Sequence, residues 1–201
     1  MLFRSYSNGD ASVEYPVVTG AIMWAIAKIT PSGEHALQNY YYANIALLAL
    51  LFIFISLVVA KMRPEFAYLT PLAPAAIASL YINWDLWAIV TTLLAIYWFD
   101  RKEELASAAI LGVSIATKFF PIVLLLPIAI IYIRRQEVKN GIRYIATTLG
   151  TFIAINIPFA LTTPTGWWRF YDLNLHREAD WGSIWYALSV FGLNLDRKSV
   201  V

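Results

Sequence analysis

Lys118 stands between two apolar runs, 105–117 and 119–133, neither of which carries a charge. A lysine at bilayer depth costs from about 2.5–3.5 kcal/mol upward, so it marks a functional group or a side chain near the interface. The other residues able to do chemistry are few. Asp10 and Glu14 precede Tyr15-Pro16, Asp85 follows Asn83-Trp84, and Arg169, His176 and Arg177 lie in the tryptophan-rich segment 163–182. The cations suit a phosphate, held by charge-assisted hydrogen bonds. A carboxylate such as Glu14 or Asp85 suits a general base acting on an acceptor hydroxyl. Tryptophan faces suit the C–H surfaces of a sugar.

Each of these residues also has a plain structural role. Glu14 can complement the positive end of a helix, and Asp85 can cap one. Lys118 can snorkel to the interface, and the tryptophans can form an interfacial belt. His176 is one of two histidines, and a single histidine in a loop is usually solvated. Neither histidine has a second ligand at metal spacing, so the pattern calls for no metal and no cofactor.

The elements that must position these groups are set by composition. Of 201 residues, 60% are hydrophobic and 14% charged, with a mean hydropathy of +0.61. An ordinary soluble domain is about 25% charged. The fold class expected is an all-α integral membrane bundle of about six or seven spans. A net charge of +2 and the lack of a basic block argue against nucleic acid as a partner. The chain has no cysteine, which excludes disulfides and thiolate metal sites. The N-terminal stretch lacks the apolar core of a signal peptide.

Uncharged runs at 36–60 and 144–168 exceed the roughly 20 residues that a span requires, and 66–84 just reaches it. Helical spacing of Val18, Ile22, Ala25, Ile26 and Ile29 predicts a short helix after Pro16, lying in the interface or tucked against the bundle. Spans follow at about 40–60, 67–83, 85–99, on both sides of Lys118, and at 144–162. Segment 163–182 reads as a loop, and 183–195 as a last apolar piece. The whole is one membrane domain, 1–201, expected to be incomplete at both ends. Its parts are an outer segment 1–38, a bundle 39–162 and an outer loop with the last piece, 163–201.

Loop charges give the orientation. With the N-terminus outside, the inner loops hold Lys61, Arg63, Arg101, Lys102, Arg134, Arg135, Lys139 and Arg143, as the positive-inside rule asks. Two short passes, not one kinked helix, then flank Lys118, and Lys118-Phe119-Phe120-Pro121 becomes an outer hairpin tip. The passes on either side of it are about 20–22 Å long, shorter than a bilayer core of about 30 Å. That shortfall recesses the tip at the floor of an outer cavity. Glu14, Asp85, Lys118 and the His176-Arg177 segment all fall on that outer face.

Glu14-Tyr-Pro-Val-Val-Thr-Gly20, Tyr81-Ile-Asn-Trp-Asp85-Leu-Trp-Ala88 and Ala116-Thr-Lys118-Phe-Phe-Pro121 resemble motifs of glycosyltransferase family 87, in order and in approximate spacing. His176-Arg177 before Gly182-Ser-Ile-Trp185 is similar to the later outer loop of that family. This group comprises bacterial C-type membrane glycosyltransferases, including polyprenyl-phosphate-mannose-dependent mannosyltransferases. The resemblance covers about 14–190.

It implies inverting transfer of a hexose, mannose above all, from a polyprenyl-phosphate donor to a glycolipid or cell-envelope glycan on the extracytoplasmic face of the cell membrane. It implies donor-phosphate contact by Lys118 and donor or acceptor contacts by Asp85, His176 and Arg177. It also implies a catalytic aspartate on an outer loop, expected upstream of Met1, with Asp10 and Glu14 the nearest carboxylates in this chain. The alternative is a lipid-linked-sugar transporter or flippase-like subunit, because short proline-interrupted passes also surround transporter sites.

The orientation is directly testable, since the chain offers no cysteine of its own. Arg169→Cys in sealed cells should react with an impermeant maleimide from outside and Arg135→Cys should not. The opposite pattern would invert the topology.

Overall fold

The computed structural model describes residues 13–81, 84–176 and 184–192, and these are helical with no strand among them. Helix α1, Val17–Ile29, starts directly after Pro16, whose fixed φ suits a helix entry. It stops where Pro31 forces Thr30 into an extended conformation. Thr30 then turns its hydroxyl back to donate to the Ile26 carbonyl at 2.7 Å. Helix α2, Ala36–Met62, runs for 27 residues. Helix α8, Val138–Thr162, runs for 25.

These two helices are long and apolar enough to cross a membrane, with mean hydropathies of 2.7 and 1.6 over their most apolar stretches. Only 17% of either stretch is buried. Leu50, Ile53, Phe54 and Leu57 face outward on α2, and Leu149, Ile153, Ile157 and Leu161 on α8. Such stripes at helical spacing have no protein to cover them and suit hydrocarbon. The fold is that of a helical membrane protein.

The single pass expected at 67–83 is instead broken. A 3-10 turn at Pro64–Phe66 is followed by α3, Leu69–Leu72, and α4, Pro74–Ser79. Pro74 has no N–H for the Thr70 carbonyl, and it holds Ala73 extended with ψ 114°. Two prolines three residues apart therefore stop a helix that the apolar run alone would sustain.

The centre of the molecule is a trio of helices. Helix α5, Asp85–Asp100, and helix α6, Glu104–Thr117, form an antiparallel hairpin. Its turn uses Lys102 with φ 63°. The serines of α6 hold it together: Ser114 donates to the Ala88 carbonyl at 3.0 Å and Ser107 to the Ala95 carbonyl at 2.7 Å. The partner positions rise along α5 as they fall along α6, which fixes the antiparallel register. Ser107 also meets the Tyr144 hydroxyl at 2.7 Å, which joins α6 to α8 in parallel. Gly112 permits that second contact. A Cβ there would stand 2.5 Å from the Thr148 carbonyl oxygen and 2.7 Å from the Thr151 Cβ.

After Lys118 a 3-10 turn, Phe120–Leu124, leads into α7, Leu125–Arg134. This return leg packs Tyr132 edge-on to Phe99 at 5.9 Å, and Phe99 meets Tyr144 at 5.6 Å. Two separate helical legs, not one kinked helix, flank Lys118. The segment read as a loop from residue 163 is, through residue 176, helix α9, Pro164–His176. Pro164 opens it, a favoured first position. A last helix, α10, spans Ile184–Val190.

The bundle has two chemically different ends. Lys61 and Arg101 lie over the Tyr97 ring at 5.5 and 4.8 Å, and Arg135 over Phe99 at 5.9 Å. These contacts gather the C-terminal ends of α2, α5 and α7 at one end. Asp85 and Lys118 lie at the other.

The close α6–α8 approach separates two glycine substitutions by sign. Gly112→Ala should lower stability by about 1–3 kcal/mol through overpacking. Gly150→Ala, at a position with nothing within 4 Å of the added carbon, should raise it by about 0.5–1 kcal/mol through helix propensity. Thermal unfolding in detergent reads both.

Candidate functional site

Asp85 is the first residue of α5, not its cap; Trp84 occupies the cap position and no side chain caps the helix. The Asp85 carboxylate instead accepts from the Lys118 ammonium, 33 residues on. Lys118 follows the last residue of α6 in an extended conformation, φ −153° and ψ 140°, which turns its side chain away from the helix axis. Both side chains are partly buried, 29% exposed for Lys118 and 37% for Asp85. The lysine therefore neither snorkels freely nor hangs at a solvated tip. The α5–α6 hairpin closes on an ion pair, with the acid placed where the helix dipole favours negative charge.

The base of α1 joins this end. Thr19, 1% exposed, donates to the Thr117 carbonyl at 2.6 Å, one residue before Lys118. Val17 packs on Phe159 of α8. Glu14, just before α1, accepts from Arg169 of α9 at 3.0 Å. The arginine side chain is 21% exposed and the glutamate 57%. Glu14, largely exposed just before α1, is in addition tied to α9 across 155 residues.

Helix α9 lies against α8. The Trp167 indole donates to Asn156 Oδ1 at 2.8 Å. Tyr171 stacks on Trp167 at 5.1 Å and meets Phe119, the residue after Lys118, edge-on at 6.1 Å. Burial pushes the Tyr171 hydroxyl above its ordinary range, so it remains a proton donor throughout the neutral range. The tryptophans are accordingly more than a belt, since one of them holds α9 in place.

The structure brings Asp85 and Lys118 together, and Glu14 with Arg169, at one end of the bundle. It does not bring His176 to them. That side chain is 78% exposed, and its contacts are with Asp172 of its own helix, at 2.9 Å to the carbonyl and 3.1 Å to the carboxylate. Asp10 and Arg177 lie outside the described residues. No three histidine, aspartate or glutamate side chains among the described residues are grouped to hold a metal.

The sequence reading passed over a cavity of about 720 Å³ beside this site. It opens between the first turns of α2 and Tyr81 and Trp84. The one early signal was Asn44, a polar residue inside an otherwise apolar span.

The family model described as "ALG3 protein" matches residues 7–188. No curated protein and no solved structure matches the chain.

The two ion pairs should differ in strength. A double-mutant cycle on Asp85→Asn and Lys118→Met should give a coupling of about 1–2 kcal/mol, since the pair is partly withdrawn from water. The Glu14→Gln and Arg169→Met cycle should give about 0.2–1 kcal/mol, as for an exposed pair. Equal couplings would place both pairs in the same environment.

Proposed function

The chain belongs to the ALG3 family, a family of dolichyl-phosphate-mannose-dependent membrane mannosyltransferases, and on that premise we propose that it transfers mannose from a polyprenyl-phosphate-type donor to a lipid-linked or envelope glycan. The observation that carries the reading is the Lys118–Asp85 pair, seated where two short passes meet. A partly buried lysine held by a carboxylate keeps its orientation without a phosphate. The donor phosphate takes over two of its three N–H donors or displaces the carboxylate altogether. Arg169 supplies a second cation at the same end of the bundle.

The chemistry follows from what has to move. An acceptor hydroxyl attacks the anomeric carbon of the mannosyl group, the C1–O bond to phosphate breaks, and the lipid phosphate leaves with the bonding pair. Attack opposite the leaving phosphate inverts the anomeric centre. The hydroxyl proton goes to a carboxylate acting as general base. Glu14 and Asp10, in the segment entering α1, are the candidates for that role. Charge on the departing phosphate grows in the transition state, so a fixed ammonium lowers the barrier more than it stabilises the bound donor. The motif resemblance also proposes His176, the last residue of α9, and Arg177 for acceptor contacts, although His176 is not gathered with Asp85 and Lys118.

The surrounding bundle supports a membrane setting. On this reading the Asp85–Lys118 end faces the extracytoplasmic side and the Lys61, Arg101 and Arg135 end the inside, the orientation that the positive-inside rule favours. A donor with a long isoprenoid tail then reaches Lys118 laterally from the lipid. The bacterial, envelope-directed form of the reaction rests on the motif resemblance to glycosyltransferase family 87. The matched family is associated with a dolichyl carrier, and a shorter or longer isoprenoid changes nothing at the phosphate.

The reading stands or falls on Lys118. Lys118→Ala in membranes supplied with polyprenyl-phosphate mannose should reduce mannosyl transfer by about 10²–10³-fold, the usual loss for one preorganised transition-state contact. The helical circular dichroism of the variant should match that of the parent. Full activity in a folded Lys118→Ala protein would remove the phosphate role.

A further inference from the structure

The cavity beside the ion pair is not used by the chemistry above. Its volume, about 720 Å³, lies within the range of about 300–1,000 Å³ usual for small-molecule sites. Tyr40, Tyr41, Tyr81 and Trp84 place four aromatic rings on its walls. Trp84 is also the residue before Asp85, so one wall of the cavity is continuous with the site. Polar side chains run down the other wall: Glu34, His35 and Gln38 at the entrance, and Asn44 deeper, before the floor reaches Leu48. From Ala36, the first residue of α2, to Asn44 is about 12 Å of helix.

Asn44 sharpens the choice of ligand. It is 9% exposed. Its amide nitrogen donates to the Tyr40 carbonyl at 2.8 Å, and its Oδ1 is buried with no hydrogen-bond partner. An acceptor left in that condition destabilises the fold. Asn44 lines the cavity, and its amide can turn about its soft terminal torsion to meet a donor there, giving up the bond to Tyr40 as it does. An isoprenoid chain supplies no donor and would lay hydrocarbon against Glu34, Gln38 and Asn44, each of which loses water without recompense. A phosphate would face Glu34 with no lysine or arginine among the lining residues. A neutral ligand rich in hydroxyls, with flat C–H faces for the aromatic rings, fits both walls.

We propose that this cavity is a saccharide subsite, which seats hexopyranose rings of the acceptor glycan against Tyr81 and Trp84, with a sugar hydroxyl donating to Asn44. The inference rests on the mannosyl-transfer reading for the identity of the glycan and deepens it. The Lys118 end holds the donor phosphate, and the α2 cavity holds the chain to be extended, separated by the single residue step from Trp84 to Asp85.

The test is binding without turnover. The full chain in detergent micelles is titrated with mannobiose and followed by saturation-transfer NMR. Saturable transfer to the sugar protons is expected, unchanged by farnesyl phosphate as a competitor. Asn44→Leu and Tyr81→Ala should each weaken binding about tenfold, equivalent to about 1.4 kcal/mol. Leu50→Ala, on the outward face of α2, should leave it unaltered. Tyr41→Ala, whose ring is 54% exposed, replaces Asn44→Leu if circular dichroism shows that the latter loses helix.

Absence of saturable mannobiose binding would overturn the subsite, as would equal binding by the folded variants. Displacement by farnesyl phosphate would overturn it too and assign the cavity to the isoprenoid. Full transfer activity in Lys118→Ala with mannobiose binding retained would instead remove the phosphate role and leave the subsite standing.

Discussion

Helix α6 is gripped on both sides through the backbone of its neighbours, and the site depends on that grip. Ser107 and Ser114 donate to carbonyls of α5, and Gly112 lets the Thr148 carbonyl of α8 come close. Small residues let helices approach until backbone atoms touch, and in lipid such packing replaces the hydrophobic drive that water would provide. The consequence is positional. With α6 unable to slide against α5, the residue just past its end must lie beside the residue that begins α5. Those residues are Lys118 and Asp85. A register shift by one turn, about 5.4 Å, would separate the ammonium from the carboxylate and leave a charge unpaired in a partly buried place.

Shortness of the central helices serves the same end. Helix α5 has 16 residues and α6 has 14, about 24 and 21 Å respectively, against the 27 residues of α2. Lys118 and Asp85, at the tip of this short hairpin, are partly buried. Aromatic side chains fill the space around it: Phe119 reaches Tyr171 of α9, and Trp167 is anchored to Asn156 of α8. The recess is thereby roofed by α9 and flanked by the start of α2. A polar tip held at depth, with aromatic walls and lateral access from lipid, suits a substrate with a long apolar tail and a polar, phosphate-bearing head.

Much of this was legible from residue types. The spans at α2 and α8, the break at Lys118 into two legs and the segregation of basic residues to one end follow from hydropathy and charge, because lipid tolerates few exceptions. Other features were less legible. The apolar run at 67–83 has the composition of a span, and only the spacing of Pro71 and Pro74 undoes it. The Trp-rich segment after Thr163 has too many polar residues to resemble a span, yet it is helical because it is amphipathic and has Asn156 and Phe119 to pack against. Glu14 and Asp85 each admitted a local role as a charge at a helix start, and both also took distant partners.

What the sequence alone determined, then, is that the chain folds as helices in a membrane, and where along it the long apolar helices and the basic clusters fall. These depend on composition and on order along the chain, which are local quantities. Which cation meets which carboxylate, where Asn44 is left with an unpartnered oxygen and how a cavity forms beside Trp84 were decided by tertiary structure. Each of those depends on a distance between residues tens of positions apart, fixed by how closely Ser107, Gly112 and Ser114 allow three helices to approach. A list of side chains carries the charge of Lys118 but not the depth at which the hairpin holds it.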